Sequence, residues 1–250
     1  MKLKSKFNQA FYYATTALIM PLLLIQAVWV KLTVLRLAEP CGERSGDCGS
    51  SNKNNKLKLL IIGDSAAAGV GVDSQKDALA GQLTTMLADK YEVNWRLIAN
   101  TGFTATDIIA ELTALSAQSF DYVLVSVGVN DVTHVTRIHQ WAMNIKTIVE
   151  ILDAKFDAPK VLLTSVPPIQ QFTAIPAPLK WWLGNRAKKL NELMLAEVKD
   201  KNHYSVLTFD LPFKSEFIAK DGIHPSKIAY HVWANQAAET IDKLCDKYQA

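Results

Sequence analysis

The chain has 250 residues, of which 49% are hydrophobic and 20% charged, with a mean hydropathy of +0.07. Those proportions exclude a disordered or collagen-like chain and indicate a globular domain joined to something more apolar. Lys and Arg total 27 against 24 Asp and Glu, and the whole surplus of +3 lies in residues 1–50, so the rest is neutral and gives no electrostatic reason to expect nucleic acid.

From Phe7 to Val30 there is no charged residue and no histidine, a run of 24 residues. At about 1.5 Å per residue a helix of that length spans roughly 36 Å, enough for a bilayer core. Lys2, Lys4 and Lys6 precede it, and Tyr12, Tyr13 and Trp29 stand near its ends, where aromatic rings prefer the headgroup layer. Pro21 falls inside, which a membrane helix tolerates better than a soluble one. A cleaved signal peptide fits less well, because the run is long and no A-x-A-like site follows. Lipid attachment at Cys41 lacks the small residue expected before the cysteine. The expectation is a membrane anchor over 1–37, transmembrane about 7–30. The lysines favour a cytoplasmic N-terminus and an extracytoplasmic domain, periplasmic if the source is bacterial.

Residues 38–56 read as a polar linker rich in Gly, Ser, Asn and Lys. Cys41 and Cys48 enclose a short Gly-containing loop that can close as a disulfide in an oxidising compartment or remain two free thiols. Cys245 is left over. Three cysteines are too few for a disulfide scaffold or a Cys-rich zinc site.

From residue 57 onward short apolar runs alternate with helical patterns. Leu57–Ile62 reads as a strand. A helix is expected over Asp77–Lys90, with Leu79, Leu83, Met86 and Leu87 on one face and Ser74 and Asp77 spaced as a capping box. Val93–Ile98 is a second strand. Thr104 and Asp107 open a helix carrying Ile108, Leu112 and Leu115. Tyr122–Val127 is a third strand, and Trp141, Ile145, Ile148 and Leu152 mark the next helix. Lys160–Ser165, a helix over Leu183–Val198, a strand over Tyr204–Phe209 and a last helix after Pro225-Ser226 complete the series. Strands apolar throughout suit a parallel sheet covered on both faces. The expected fold is a three-layer α/β/α domain over 57–250, doubly wound (flavodoxin-like) around a parallel sheet of about five strands.

In such sheets ligands bind beyond the carboxyl ends of the strands. After the first strand stands Gly63-Asp64-Ser65, and after the second Asn100-Thr101-Gly102. After the third stands Gly128-Val129-Asn130-Asp131, and before the last helix Asp221-Gly222-Ile223-His224-Pro225. In this order the four segments resemble the signature blocks of the SGNH (GDSL-type) hydrolase superfamily of esterases and lipases, over about residues 57–248. One departure is Ala66, where the family often has Leu. No G-x-S-x-G elbow occurs in the chain, which separates it from ordinary α/β hydrolases.

The resemblance implies specific roles. Ser65 would be the nucleophile, His224 the base that takes its proton, and Asp221 the carboxylate that orients the imidazole. The backbone N–H of Ser65, the backbone N–H of Gly102 and the side-chain amide of Asn130 would form the oxyanion hole, where losing one donor costs about 100- to 1000-fold in turnover. Asp64 and Asp131 are read as structural, bonding the loop backbones. His134, His139, His203 and His231 have no ligand-like spacing, so neither metal nor organic cofactor is expected. The Gly63–Gly71 loop lacks the phosphate-cradle patterns. The apolar, proline-rich stretch from Pro167 to Trp182 reads either as a rigid packed loop or as a functional one that lines the acyl site or touches the membrane surface. If it lines the acyl site, Ile169, Phe172, Trp181 and Trp182 would contact substrate.

The function expected from the resemblance is a membrane-anchored serine esterase acting on small-molecule carboxylic esters of the acyl-lipid or acetylated-glycan type. Alternatives are an acyltransferase using the same acyl-enzyme and a catalytically silent anchored binding domain.

Overall fold

The computed structural model describes residues 2–50, 55–157, 159–208 and 214–249, with side chains from residue 18 to 245. Six strands form one sheet: β1 (Ser45–Cys48), β2 (Lys56–Gly63), β3 (Glu92–Ala99), β4 (Tyr122–Ser126), β5 (Lys160–Thr164) and β6 (Tyr204–Leu207). Their order across the sheet is β1-β3-β2-β4-β5-β6. The five strands from β2 onward are parallel, as expected, but the sheet is mixed, because β1 pairs antiparallel with β3. This sixth strand falls inside the stretch read as linker. Its Ser-Gly-Asp-Cys sequence has no apolar alternation, and backbone pairing to β3 alone makes it a strand.

Period-two alternation in β2 explains the layering. Leu60 and Ile62 point into one core with Val123, Val125, Val161 and Leu163. Leu59 and Ile61 point into the other with Leu124 and Leu162. Helices α4 (Ala105–Ala114), α6 (Ile138–Lys155) and α7 (Leu179–Val198) cover the first face through Ile108, Trp141, Ile148 and Leu190. Helices α3 (Leu79–Ala88) and α8 (Lys227–Gln249) cover the second through Leu83, Tyr230, Trp233 and Ala237. With both faces buried, an apolar strand such as β4, covered along its whole length, is the stable solution.

Local signals set some of the helix starts. Asp107 Oδ2 accepts from the Thr104 N–H at 2.8 Å and from Thr104 Oγ1 at 2.6 Å, fixing the start of α4. Ser74 works differently from the expected box: its Oγ accepts from Lys76 N at 3.3 Å and opens a 3-10 turn over Gln75–Asp77, so α3 begins at Leu79. Residues 209–213, where the expected last strand was to end, lie outside the described residues.

The N-terminal segment is one helix, α1 (Lys2–Thr33), with Pro21 inside. Among the described residues no helix is long and apolar enough to cross a membrane. The first part of the expected span, residues 7–17, has side chains outside the described ones. The described part docks on the domain. Leu23 is buried there, Gln26 Nε2 donates to Ala177 O at 2.8 Å, and Gln26 Oε1 accepts from Leu179 N at 3.0 Å. Cys41, Cys48 and Cys245 are free thiols.

Candidate active site

The chain leaves β2 toward β3 on one side and returns to β4 on the other, so strand order reverses between β2 and β4. A crevice opens at such a switch point, beyond the strand carboxyl ends. Gly63 ends β2 there. A Cβ on it would lie 2.4 Å from Ser126 O and 2.6 Å from the Ala67 side chain, so the two strands approach too closely for any other residue. Immediately beyond, Asp64 caps the one-turn helix α2 (Ser65–Ala68), accepting from Ala66 N at 3.0 Å. Ser65 thus stands in the first turn of a helix, where backbone N–H groups have no partner within the helix.

The Asp221–His224 segment arrives from the far end of the chain. Asp221 Oδ1 accepts the N–H groups of Ile223 and His224, each at 3.0 Å, which folds the segment into a tight turn. Asp221 Oδ2 lies 2.5 Å from His224 Nδ1, and His224 Nε2 lies 2.8 Å from Ser65 Oγ. The carboxyl is buried and the imidazole about one-fifth exposed. Burial pushes the Asp221 carboxyl upward, but the bonds from His224 and from the Ile223 N–H outweigh it and hold it below the usual carboxylate range. A hydroxyl, an imidazole and an ionised carboxylate therefore stand in one hydrogen-bonded line.

Two further loops reach the same edge. After β3, Gly102 takes a φ of +93°, with open space where a side chain would stand. After β4, Asn130 lies in α5 (Val129–Thr133), and its Nδ2 donates to Phe103 O at 2.9 Å, which ties it to the Gly102 turn. Asp131 is fully buried and accepts from Ala105 N at 3.0 Å and Thr136 Oγ1 at 3.1 Å. Burial raises its carboxyl above the usual range, and raises that of Asp64 to about 6. Both carboxylates hold loop backbone.

Beside Ser65 lies a cavity of about 70 Å³, walled by Val127, Val166, Phe172, Ile218, Ile223 and Trp233. Thr164 Oγ1, buried at the end of β5, also lines it and has no hydrogen-bond partner among the described residues. Of the four residues expected to contact substrate, Phe172 alone reaches this cavity. Ile169 is fully buried in the core instead, because the stretch turns through a 3-10 segment at Ile169–Gln171. Trp181 and Trp182 lie in the first turn of α7, Trp181 half exposed and Trp182 packed on the core, away from the cavity lining.

One supporting residue carried no local signal. The Tyr230 hydroxyl, on α8, lies 2.9 Å from Ala66 O and 2.8 Å from Val70 O, pinning the segment that follows Ser65. Two histidines outside this cluster bond elsewhere, His203 to Asp153 and His231 to Gln82. Among the described residues no group of His, Cys, Asp and Glu could hold a metal ion.

Comparison with known proteins places this arrangement. Solved structures with the same fold include the psychrotrophic esterase EstA from Pseudoalteromonas sp., with TM-score 0.60, 19% identity, and coverage of 76% of this chain and 100% of that one. TesA matches with TM-score 0.61 and 23% identity over 75% of this chain and 99% of its own. The lipase/acylhydrolase from Enterococcus faecalis matches with TM-score 0.58 and 21% identity over 74% and 95%. At these identities the likeness is one of fold. No curated protein matches the sequence. A family model, however, matches residues 61–232, a stretch that begins within β2, ends within α8 and contains Ser65, Gly102, Asn130, Asp221 and His224. The chain therefore belongs to the GDSL-like lipase/acylhydrolase family.

Proposed function

We propose that this chain is a serine ester hydrolase that forms an acyl-enzyme on Ser65. The observation that carries the reading is the 2.8 Å approach of His224 Nε2 to Ser65 Oγ. Ser65 Oγ attacks the ester carbonyl carbon while its proton passes to His224 Nε2. The ionised Asp221 holds the Nδ1–H tautomer and stabilises the imidazolium. Negative charge on the carbonyl oxygen is met by the N–H groups of Ser65 and Gly102 and by the Asn130 amide. The carbon–oxygen bond to the alcohol then breaks, and His224 returns its proton to the departing oxygen. Water repeats the sequence on the acyl-enzyme and frees the acid. No step needs a metal or an organic cofactor.

The cavity beside Ser65 receives the acyl group. On the same measure a water molecule needs about 10–15 Å³, so about 70 Å³ holds roughly five to seven heavy atoms, the size of a short acyl group. Substrates are then short-acyl esters, with acetylated glycans ahead of long-chain lipids. The N-terminal helix tethers the enzyme to a bilayer. Leu18, Leu22, Leu24, Ile25, Val28, Trp29 and Leu32 all expose large apolar surface on it, an excess that water does not favour and lipid does. With Lys2, Lys4 and Lys6 on the cytoplasmic side, the domain is extracytoplasmic.

The test is hydrolysis of short p-nitrophenyl esters by the full chain in detergent. Ser65→Ala removes turnover while leaving the thermal midpoint near that of the parent. Turnover retained in that variant overturns the mechanism. Protease protection of the domain in spheroplasts overturns the location.

A further inference from the structure

The family match begins at residue 61, but part of the site edge is built by residues upstream of it. The stretch after α1 does not hang free. Cys41 O accepts from Gln75 N at 2.9 Å, and Arg44 O accepts from Leu97 N at 2.7 Å, so the backbone is fastened to the domain at both points. Between α1 and these points lies Glu39.

Glu39 Oε1 accepts two hydrogen bonds from one residue, the Thr101 N–H at 2.7 Å and Thr101 Oγ1 at 2.8 Å. Its other oxygen pairs with Arg44 Nη1 at 2.9 Å. Arg44 Nη2 in turn donates to Ala99 O, the last carbonyl of β3. A carboxylate and a guanidinium thus grip the turn after β3 at its entry and at its middle. Gly102 follows directly, and the Phe103 carbonyl of the same turn receives the Asn130 amide. The turn closes on itself through Phe103 N and Asn100 O at 3.2 Å.

We propose that Glu39 is a positioning residue for the oxyanion hole, holding the Asn100–Gly102 turn so that the Gly102 N–H and the Asn130 amide stay aimed at the reacting carbonyl. The inference rests on the roles proposed above for Gly102 and Asn130. Its physical basis is that an oxyanion hole works only when its donors are fixed before charge develops. Gly102 has the widest conformational freedom of any residue type and takes a positive φ, so it does not hold its own orientation. A charge-assisted double bond to the preceding residue does. Burial pushes the Glu39 carboxyl upward, but the two Thr101 bonds and Arg44 outweigh it and keep the group ionised.

The distinguishing measurement separates kcat from KM for a short p-nitrophenyl ester, using the full chain. Glu39→Ala lowers kcat about tenfold, a fraction of what losing a donor outright costs, with KM within about twofold of the parent. Glu39→Gln keeps an oxygen that accepts from Thr101 and recovers most of that loss. Thr101→Ala removes one of the two bonds from the domain side and gives a smaller kcat loss. Combined with Glu39→Ala it adds little, because the two changes break the same contact. Unchanged kcat in Glu39→Ala, or a full additive loss in the double variant, overturns the proposal. Ser65→Ala run alongside keeps the two readings apart: activity surviving there defeats the hydrolase mechanism, whereas activity lost there but intact in Glu39→Ala defeats only the role of Glu39.

Discussion

His224 and Ser65 are separated by 159 positions in the chain, yet the imidazole Nε2 lies 2.8 Å from the hydroxyl oxygen. The turn that presents His224 is stabilised from within by Asp221, which bonds both the ring and the backbone of the same residue. One carboxylate therefore shapes the loop and sets the tautomer. Asp221→Asn keeps much of the shape but lets the amide donate toward Nδ1, which favours the wrong tautomer. We expect kcat to fall by about 10⁴-fold. Steady-state kinetics with a short p-nitrophenyl ester measure it, and a fall of less than tenfold would falsify the assignment of Asp221.

The acid side of the stability profile is expected to carry the mark of Asp64. Burial raises its folded pKa from 3.8 to about 6, so the folded state keeps the proton longer than the unfolded chain does. Stability from this group is greatest below the unfolded value and declines as pH rises through the window up to about 6. Asp221 has the opposite sign, because its folded pKa is depressed: its stabilisation is present above the unfolded value and is lost as pH falls through the folded one. Asp64→Asn keeps an oxygen to cap α2 and removes the ionisation. Denaturant titrations at pH 4 to 7 should show the variant gaining stability relative to the parent as pH rises. A difference that stays flat across the window would show that Asp64 does not titrate as described.

Acyl length is the third expectation. Phe172 is nearly buried and forms part of the wall of the cavity beside Ser65. A chain longer than a few carbons must displace it or bend away. Acetyl and butyryl esters should be preferred over dodecanoyl esters by about tenfold or more in kcat/KM, since binding in an apolar pocket discriminates at roughly that level per misfit group. Phe172→Ala opens the wall and should narrow the ratio. An enzyme that favours the dodecanoyl ester before the wall is opened would sink the short-acyl reading.

Much of this molecule was legible one residue at a time. The parallel strands announced themselves as short apolar runs because both of their faces are covered. Ser65, Gly102, Asn130, Asp221 and His224 stood out only together, because the four segments that carry them, each after a strand or before the last helix, resemble in their order the signature blocks of GDSL-type hydrolases. The short strand at Ser45–Cys48 did not, since an edge strand needs only a neighbour's backbone and leaves no apolar pattern. The stretch from Pro167 to Trp182 was legible in composition but not in direction: its apolar side chains were equally suited to a pocket or a core, and Pro167 and Phe172 line the cavity while Ile169 is buried in the core.

What the amino-acid order determined by itself was the local chemistry: the alternation of parallel strands and helices, and which reactive groups stand at the strand ends. Only the tertiary structure decided which distant groups meet. Glu39 and Thr101 lie 62 positions apart, and Tyr230 lies 164 from the Ala66 carbonyl it supports. Hydrogen bonds of that kind depend on distance and angle in space, and periodicity along the chain carries no trace of them.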